Sequence, residues 1–250
     1  MKEWIWGRNP IFESLRASRR QFYELRVAQG IQENERVDQI LKLARTAKLP
    51  ITQVNRETLN VFSDHHQGIA LQVNAYPYVT LTDILGAAEK KAEPLLVLLL
   101  DTLKDPQNLG TLIRTSEAVG VHGIVLPLRR TATVTPAVVS ASSGACEHSL
   151  ITQANLAQTL DQLKKEGAWI VGLEGGTEAK SPDQVDLSGP LAVVVGSESE
   201  GMRKLVKSSC DFLMRLPMAG QVDSLNAAVA GSVALYLIWQ AREYLGARKY

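Results

Sequence analysis

The chain has 250 residues, of which 45% are hydrophobic and 21% charged, and its formal net charge is +1. This balance is that of an ordinary soluble globular protein and excludes a strongly charged, disordered chain. The longest nearly apolar stretch, Ala227–Trp239, has 13 residues, whereas a helix that spans a bilayer needs about 20. The start of the chain is too charged for a signal peptide. We therefore expect a cytoplasmic protein with no membrane segment.

Cysteine and histidine spacing predicts neither a disulfide framework nor a metal site. Cys146 and Cys210 lack CxxC spacing, and His65 and His66 have no partners at metal-ligand spacing. We interpret the two cysteines as buried thiols of a reducing compartment. No metal is expected.

Positive charge is concentrated in the first 75 residues. They hold 11 Lys and Arg against 8 Asp and Glu, while the remainder holds 16 against 18. Eight of those 11 cations are Arg, the side chain that pairs phosphates in bidentate fashion and stacks on bases. The asymmetry fits an N-terminal module that contacts nucleic acid, although many solvated surfaces share it.

The N-terminal segment, residues 1–75, is predicted to form a small α/β domain. Its expected elements, in chain order, are a strand over 22–27, a helix over 37–44 and a strand over 68–73. A short helix at 81–88 and a charged stretch closed by Pro94 follow. Because proline and clustered charges interrupt regular structure, residues 76–94 are predicted to be a linker.

The rest of the chain, residues 95–250, has a different pattern. Four short runs are apolar throughout rather than at alternate positions: residues 95–100, 123–126, 169–173 and 191–195. Segments of helical character separate most of these runs. Strands that are apolar throughout are covered on both faces, which predicts a parallel sheet in an α/β fold.

The first of three polar loops follows the first of these strands directly. Asp105 is a good N-cap, so a helix is predicted to begin there. Gly110 and Arg114 lie one turn apart, where a missing side chain allows a ligand to approach the helix. The structural alternative is that Asn108 helps to cap the helix and that Arg114 pairs with Glu117 three residues later.

The second loop follows the strand at 191–195. Gly196 and Gly201 permit a tight turn at the edge of the sheet where α/β proteins bind ligands. The loop carries Glu198 and Glu200, which disfavours a phosphate cradle and favours a ligand with a cationic centre. An ordinary strand-to-helix turn, with Glu198 as a cap, is the alternative.

The third loop leads from a strand near residue 213 into a helix of small residues. The structural alternative to a site role is that Ser224 is the N-cap of that helix, which would leave Asn226 facing solvent in its first turn. The helix is apolar nearly all round from Ala227 to Trp239. A helix without a polar face must be buried, either inside its domain or against another subunit.

Together these loops resemble a known family. The segments DPQNLGTLIRT, VGSESEGM and LPMAGQVDSLNAAVA occur in the order and separation typical of the SpoU/TrmH branch of the SPOUT RNA methyltransferases, and the resemblance covers about residues 95–245. The N-terminal segments at 7–11 and 66–70 are similar to the ribosomal-protein-like RNA-binding domain of the ribosomal RNA guanosine 2′-O-methyltransferase subgroup. Residues 140–145 resemble the SxGA segment of that subgroup.

The resemblance implies a fold, a cofactor and an assembly. The C-terminal domain would be a parallel-sheet SPOUT domain with a deep trefoil knot, and the protein would be a homodimer. The knot loops would hold S-adenosyl-L-methionine mainly through backbone groups, at Gly196, Leu216 and Leu225. Leu216 stands where isoleucine is common, which matters little if the backbone makes the contact. The predicted domains are therefore 1–75 for RNA binding, a linker at 76–94, and 95–250 for methyl transfer and dimerisation.

The resemblance also implies a reaction, the methylation of a ribose 2′-hydroxyl, with guanosine in large-subunit ribosomal RNA as the expected target. Arg114 would be the central catalytic residue. A guanidinium holds its proton too tightly to act as an ordinary base, so we expect it to bind phosphate and stabilise developing oxyanion charge. Four further residues would position Arg114, the ribose or the cofactor: Asn108, Glu198, Ser224 and Asn226.

Several alternatives stay open at this point. A nicotinamide-dependent Rossmann enzyme is suggested by Gly172–Gly176 after a strand, but the spacing does not match the dinucleotide fingerprint. A non-catalytic RNA-binding or ribosome-assembly factor on the same fold is the second. Among methyltransferases, transfer RNA or a ribosomal RNA adenosine could also be the target.

Overall fold

The computed structural model describes residues 2–32, 34–197, 200–222 and 224–248. The chain divides into two compact units, which are described separately. Unit 1 consists of Met1–Pro77 and Val134–His148, and unit 2 of Tyr78–Thr133 and Ser149–Tyr250. No helix among the described residues combines the length and hydropathy that a bilayer crossing requires.

Unit 1 is a mixed sheet with helices packed on it. Its elements are β1 (Lys2–Trp6), α1 (Arg8–Ala17), β2 (Phe22–Ala28), α2 (Glu35–Thr46), β3 (Ile51–Val54), α3 (Arg56–Asn60), β4 (Ile69–Asn74) and α6 (Pro136–Ala141). The strand order is β1-β4-β2-β3, and only β2 and β3 run parallel. The register pairs Leu71 with both Ile5 and Leu25, all three fully buried. Alternation of apolar and polar residues therefore directs one face of this sheet into a core.

The segment Val134–His148 differs from the sequence-based division, which placed it in the C-terminal domain. Its helix α6 packs along β1, and a 3-10 turn at Ala145–His148 packs on α1. Inside this packing the guanidinium of Arg20 donates from Nε to the carboxylate of Glu147 at 3.0 Å, and both side chains are fully buried. A long-range ion pair of this kind leaves no periodic signal in the sequence, so the pattern of residues could not reveal it.

Unit 2 is an α/β unit built on a parallel sheet. Its elements are α4 (Leu81–Lys91), β5 (Leu96–Leu100), α5 (Pro106–Ala118), β6 (Gly123–Pro127), β7 (Ile151–Ala154), α7 (Leu156–Lys165), β8 (Trp169–Leu173), β9 (Leu191–Val195), α8 (Lys204–Ser208), β10 (Phe212–Met214) and α9 (Ala227–Ala241). The strand order among the described residues is β10-β8-β9-β5-β6-β7, and every pairing is parallel. The prediction of a parallel sheet with strands buried on both faces is thus confirmed, while the trefoil knot stays a prediction.

The centre of this sheet is a topological switch point. β5 and β9 are neighbours, with Leu100 opposite Val195 at their ends. The chain leaves β5 towards β6 on one side, and it leaves β9 towards β10 on the other. Ligands of open α/β sheets bind where loops diverge in this way, at the carboxyl edge of the strands.

Helices α5 and α9 pack closely beside that switch point. A Cβ atom at Gly231 of α9 would lie 2.6 Å from the Leu112 side chain of α5, closer than packed atoms approach. The hydroxyl groups of Thr115 and Ser232 are 2.9 Å apart along the same contact. The small residues of α9 therefore let its backbone lie directly against α5, which brings the first and third polar loops together.

Candidate active site

A cavity of about 210 Å³ opens at the carboxyl edge of the unit 2 sheet. It is lined by residues that follow the ends of β8, β9 and β10 and by the segment that leads into α9. Gly196, Leu216 and Leu225, the three residues expected to contact the cofactor, lie together in its wall, and Ser224 lines it as well. Loops far apart in sequence therefore meet in one ligand-sized cleft.

The turn that begins at Gly196 has no room for a side chain. A Cβ atom there would lie 2.4 Å from the carbonyl carbon of Gly201 and 2.5 Å from the backbone nitrogen of Met202. Beyond Gly196, the backbone of Ser197 donates to Gly201 O at 3.1 Å and accepts from Gly201 N at 3.0 Å. Because Gly201 adopts a left-handed φ of 64°, both glycines are conformational requirements of this loop.

Asn226 has a different place from the one expected. It is the N-cap of α9, and its Oδ1 accepts from the backbone nitrogens of Ala228 at 2.9 Å and Val229 at 3.2 Å. The structural alternative, in which Ser224 caps this helix, is therefore wrong. The Nδ2 group of Asn226 donates to Oδ1 of Asn108 at 3.1 Å, so one amide both begins α9 and links it to α5.

The start of α5 is largely as predicted. The Asp105 side chain accepts from the backbone of Gln107 and Asn108, each at 3.1 Å, with Pro106 at the first helical position. Asp105 therefore provides the cap, and Asn108 contributes only the backbone N–H group that donates to it. Gly110 is buried with the apolar stripe of the helix, whereas the sequence analysis placed it with Arg114 on another face.

Arg114 is exposed on α5 and is not part of the cavity wall. At about 100° per residue it projects from a different side of the helix than Asn108, six residues earlier. The structure thus brings Asn108 together with Asn226, and it brings Ser224 together with Gly196, Leu216 and Leu225 in the cavity wall, of which Arg114 is not a part. Glu198 lies outside the described residues.

Several cavity residues were missed by sequence reasoning. Glu174 and Gly175, from the segment that suggested a nicotinamide site, line this same cavity, as do Arg215 and Met218. Arg215 donates from Nη1 to the carbonyl of Gly176 at 3.2 Å. The signal that could have found them was their position directly after β8 and β10, since all parallel strands end at the same edge.

Asp101 is a further residue to which the sequence analysis assigned no role. It follows β5, its side chain is completely buried, and its carboxylate binds Arg203 with two contacts of 2.7 Å. A buried carboxylate directly after a central strand is an unusual residue at that position. That feature was the available clue.

One face of α9 carries exposed apolar side chains. Val229, Val233 and Tyr236 are 46%, 40% and 49% exposed, and Tyr244 and Leu245 follow the helix at 47% and 48%. The opposite face, which includes Gly231 and Leu235, is buried in unit 2. The helix is therefore not covered all round within one chain.

The two N-terminal motifs lie side by side in unit 1. The backbone nitrogen of Arg8 donates to Oε1 of Gln67 at 2.8 Å, and the Arg8 guanidinium reaches the carbonyls of Gln67 at 3.4 Å and Gln32 at 3.0 Å. His66 is buried, and its Nδ1 accepts from the backbone of Gly68 at 2.8 Å. In the described part of the chain, no group of His, Cys, Asp or Glu is arranged to hold a metal ion.

The fold and the cleft define an α/β protein that binds a small ligand at a switch point of a parallel sheet. Residues 95–236 match the SpoU rRNA Methylase family, and residues 4–79 match the family described as RNA 2′-O ribose methyltransferase substrate binding. The chain belongs to the SpoU rRNA methylase family and is an RNA methyltransferase.

Related proteins support this assignment over the whole chain. A TrmH family tRNA/rRNA methyltransferase of Bacillus subtilis, YacO, is 41% identical over 246 residues, which is 98% of both chains. An uncharacterized tRNA/rRNA methyltransferase of Mycolicibacterium smegmatis is 40% identical over 243 residues, covering 96% of this chain and 77% of the other.

Solved structures share the fold. The SpoU methyltransferase AviRb from Streptomyces viridochromogenes, in complex with AdoMet, has a TM-score of 0.80 at 21% identity, covering 98% of this chain and 92% of the other. An AdoMet-bound rRNA methyltransferase from Sinorhizobium meliloti has a TM-score of 0.78 at 23% identity, covering 98% and 88%. The parallel sheet is therefore the one typical of SPOUT methyltransferases.

Proposed function

We propose that this protein transfers the methyl group of S-adenosylmethionine to the 2′-hydroxyl of a guanosine ribose in large-subunit ribosomal RNA. The observation that carries the proposal is the convergence of Gly196, Leu216 and Leu225 on one cavity at the switch point. Two motifs that lie far apart in the chain and merely stabilised the fold would have no reason to meet around an open cleft.

The cavity suits this cofactor chemically. Its walls are largely apolar, with Met218, Leu216 and Leu225 among them, and its described residues include one acidic and one basic side chain, Glu174 and Arg215. S-adenosylmethionine has an aromatic base and both positive and negative groups. A cavity with apolar walls and side chains of both charges fits it better than a purely cationic phosphate-binding loop would. When bound, it supplies a sulfonium-activated methyl group.

Arg114 is the residue we assign to the RNA side of the reaction. It is exposed on α5, and a guanidinium presents several N–H donors in a planar fork. It can therefore hold a phosphate in bidentate fashion beside the reacting ribose and stabilise charge that develops on the hydroxyl oxygen. A fixed hydroxyl in line with its target gains reactivity from orientation alone.

Asn108, Asn226, Ser224 and Glu198 are proposed to position these groups. The hydrogen bond between Asn108 and Asn226 connects the start of α5 to the start of α9, and Ser224 lines the cavity. Glu198 is assigned by its place in the second motif. These roles are orienting rather than chemical.

A homodimer would complete the site. The exposed side chains of Val229, Val233 and Tyr236 form an apolar strip on α9. Exposure of such a strip to water is unfavourable. A second copy of the chain would cover this strip and bring its own residues towards Arg114. The trefoil knot and a cytoplasmic location belong to the same proposal.

Unit 1 is proposed to capture the RNA. The contact between Arg8 and Gln67 brings the two N-terminal motifs together, and this part of the chain has the arginine excess. The domain assignment is RNA binding for residues 1–75, a linker at 76–94, and methyl transfer for 95–250. Residues 134–148 pack with unit 1. Deletion of residues 1–75 would therefore remove Arg20, the partner of Glu147, and point variants are the better test.

The decisive experiment measures transfer of a labelled methyl group to large-subunit ribosomal RNA fragments and to transfer RNA. Arg114→Ala should keep cofactor binding but lower transfer by about a thousandfold or more. Lys165→Ala, which removes an exposed cation of α7, is the control and should transfer normally. Near-normal transfer by Arg114→Ala would refute its role, and exclusive methylation of transfer RNA would refute the ribosomal target.

Primer extension on RNA from cells with and without the protein identifies the nucleotide. A stop that depends on the protein at a guanosine of large-subunit RNA supports the proposal. A stop at an adenosine would overturn the base assignment while leaving the 2′-hydroxyl chemistry in place. Absence of any methyl transfer by the wild-type protein would favour a non-catalytic assembly factor.

A further inference from the structure

We propose that Asp101 is a positioning residue of the cofactor site, which it serves by fixing both ends of the loop that begins at Gly196. The inference rests on the proposed function in one respect, that the cavity beside Gly196 holds the methyl donor. Asp101 itself is not in the cavity wall. It would act through the loop rather than by touching the ligand.

Asp101 forms hydrogen bonds at both ends of the loop. Its backbone nitrogen donates to the carbonyl of Val195 at 2.8 Å, immediately before the loop. Its carboxylate accepts from the backbone nitrogen of Arg203 and from Nε of the same residue, both at 2.7 Å, immediately after the loop. A single residue at the end of β5 therefore sets the distance between the two loop ends.

Three described residues of this loop, Gly196, Ser197 and Gly201, are held closely together. The paired backbone hydrogen bonds of Ser197 and Gly201 close it on itself, and Gly196 lies against Gly201 without space for a Cβ. All three residues line the cavity. A shift of the loop ends would consequently move the cavity wall as one piece.

The chemistry of the contact requires a carboxylate. Both oxygens of Asp101 accept from donors, and the side chain is completely buried while that of Arg203 is half exposed. An asparagine has one acceptor oxygen and an NH₂ group that would face a second donor. Charge-assisted hydrogen bonds in a buried site are roughly twice as strong as neutral ones, so Asp101→Asn should release one end of the loop.

The same sheet offers a matched control at its other edge. Asp211 precedes β10, and its carboxylate accepts from the backbone nitrogen of Ile170 at 2.7 Å and from Nζ of Lys164 at 2.7 Å. Like Asp101, it accepts from one backbone N–H group and from one cationic side chain. It is not a residue of the cavity wall, so Asp211→Asn loses equivalent chemistry away from the ligand.

The first test is calorimetric titration of the full-length variants with S-adenosylhomocysteine. Asp101→Asn should raise the dissociation constant by about tenfold or more, and Asp211→Asn should stay within about twofold of the wild type. Steady-state kinetics should show a higher KM for S-adenosylmethionine and an unchanged KM for RNA. Equal affinity in Asp101→Asn and wild type would overturn the inference, as would equal weakening in both variants.

A second measurement does not depend on the ligand. Hydrogen exchange of the Gly201 amide, which donates to Ser197, should be faster in Asp101→Asn than in Asp211→Asn. An unchanged rate would also overturn the inference. Failure of the wild-type protein to bind S-adenosylhomocysteine would instead count against the proposed function, so the two failures are distinguishable.

Discussion

Each of the two units buries an acidic side chain against an arginine, and the two pairs differ in what they hold. In unit 1, Arg20 is fully buried between Glu147 and Glu3, and it also donates to the carbonyl of Asn74. In unit 2, Asp101 is fully buried but Arg203 is half exposed at the edge of the sheet. The first pair lies inside packed structure, whereas the second closes a loop beside an open cleft.

This difference teaches how burial decides the role of an ion pair. A pair with both partners out of water fixes which chain segments pack together, since separating it leaves an uncompensated charge. An ion pair at the edge of the sheet can shape a ligand site, since the loop that it holds is still accessible to a ligand from solvent. Variants should therefore affect global stability in unit 1 and ligand binding in unit 2.

The largest effect is expected at Gly196. Gly196→Ala should weaken S-adenosylhomocysteine binding by about a hundredfold or more, because the new methyl group meets backbone atoms of Gly201 that cannot move aside. Gly86→Ala is the control, since Gly86 is not in the cavity wall and a Cβ there meets nothing within 4 Å. Similar affinities for the two variants would show that the turn tolerates expansion.

Arg20→Ala tests the unit 1 side of the comparison. It should lower the free energy of unfolding by roughly 3–5 kcal/mol, because Glu147 would remain buried without its partner. The Arg16 side chain is 57% exposed and pairs with Glu13 on the surface. Arg16→Ala should therefore change the free energy of unfolding by less than about 1 kcal/mol. Urea denaturation compares them, and equal stabilities would contradict a packing role for Arg20.

Asn226 allows the two roles of one side chain to be separated. Asn226→Asp keeps the acceptor that caps α9 but loses the donor to Asn108, whereas Asn226→Ala loses both. Thermal unfolding should show a loss of about 1 kcal/mol for Asn226→Ala and a smaller one for Asn226→Asp. Methyl transfer should fall in both, and full activity of Asn226→Asp would show that the link to Asn108 is dispensable.

The smallest expected effect is a pH dependence from His66. Its Nδ1 accepts a backbone hydrogen bond and its Nε2 lies 3.0 Å from Oδ1 of Asn60, so the folded protein holds the neutral ring, and burial lowers the pKa of His66. The unfolded chain then takes up the proton first, at its ordinary pKa of about 6.5. This contribution to stability is complete above that pH and is lost as the pH falls through the lower folded pKa.

Nuclear magnetic resonance titration of the imidazole measures this directly. A midpoint for His66 below about 6.5 is expected, together with a fall in the urea midpoint between neutral and mildly acidic pH. A midpoint at or above the ordinary value would show that the hydrogen bond from Gly68 does not control the ring.

Sequence patterns predicted the regular elements well where burial was uniform. The strands β5, β6, β8 and β9 are apolar on both faces and were found within a residue of their ends. β7, with Thr152 and Gln153 in its four residues, lacks that signature and was not predicted. Its place is set by pairing with β6, a long-range interaction that local composition does not record.

By itself, the sequence determined the parallel α/β class, the three polar loops and the helix start at Asp105, because periodicity, capping and glycine content are local properties. Tertiary structure alone decided that residues 134–148 pack with unit 1, that Asn226 and not Ser224 caps α9, and that Asp101 closes the loop at Gly196. Each of these depends on which distant groups share a buried contact. Such contacts are chosen by the free energy of packing and hydrogen bonding across the whole fold, which no short stretch of residues contains.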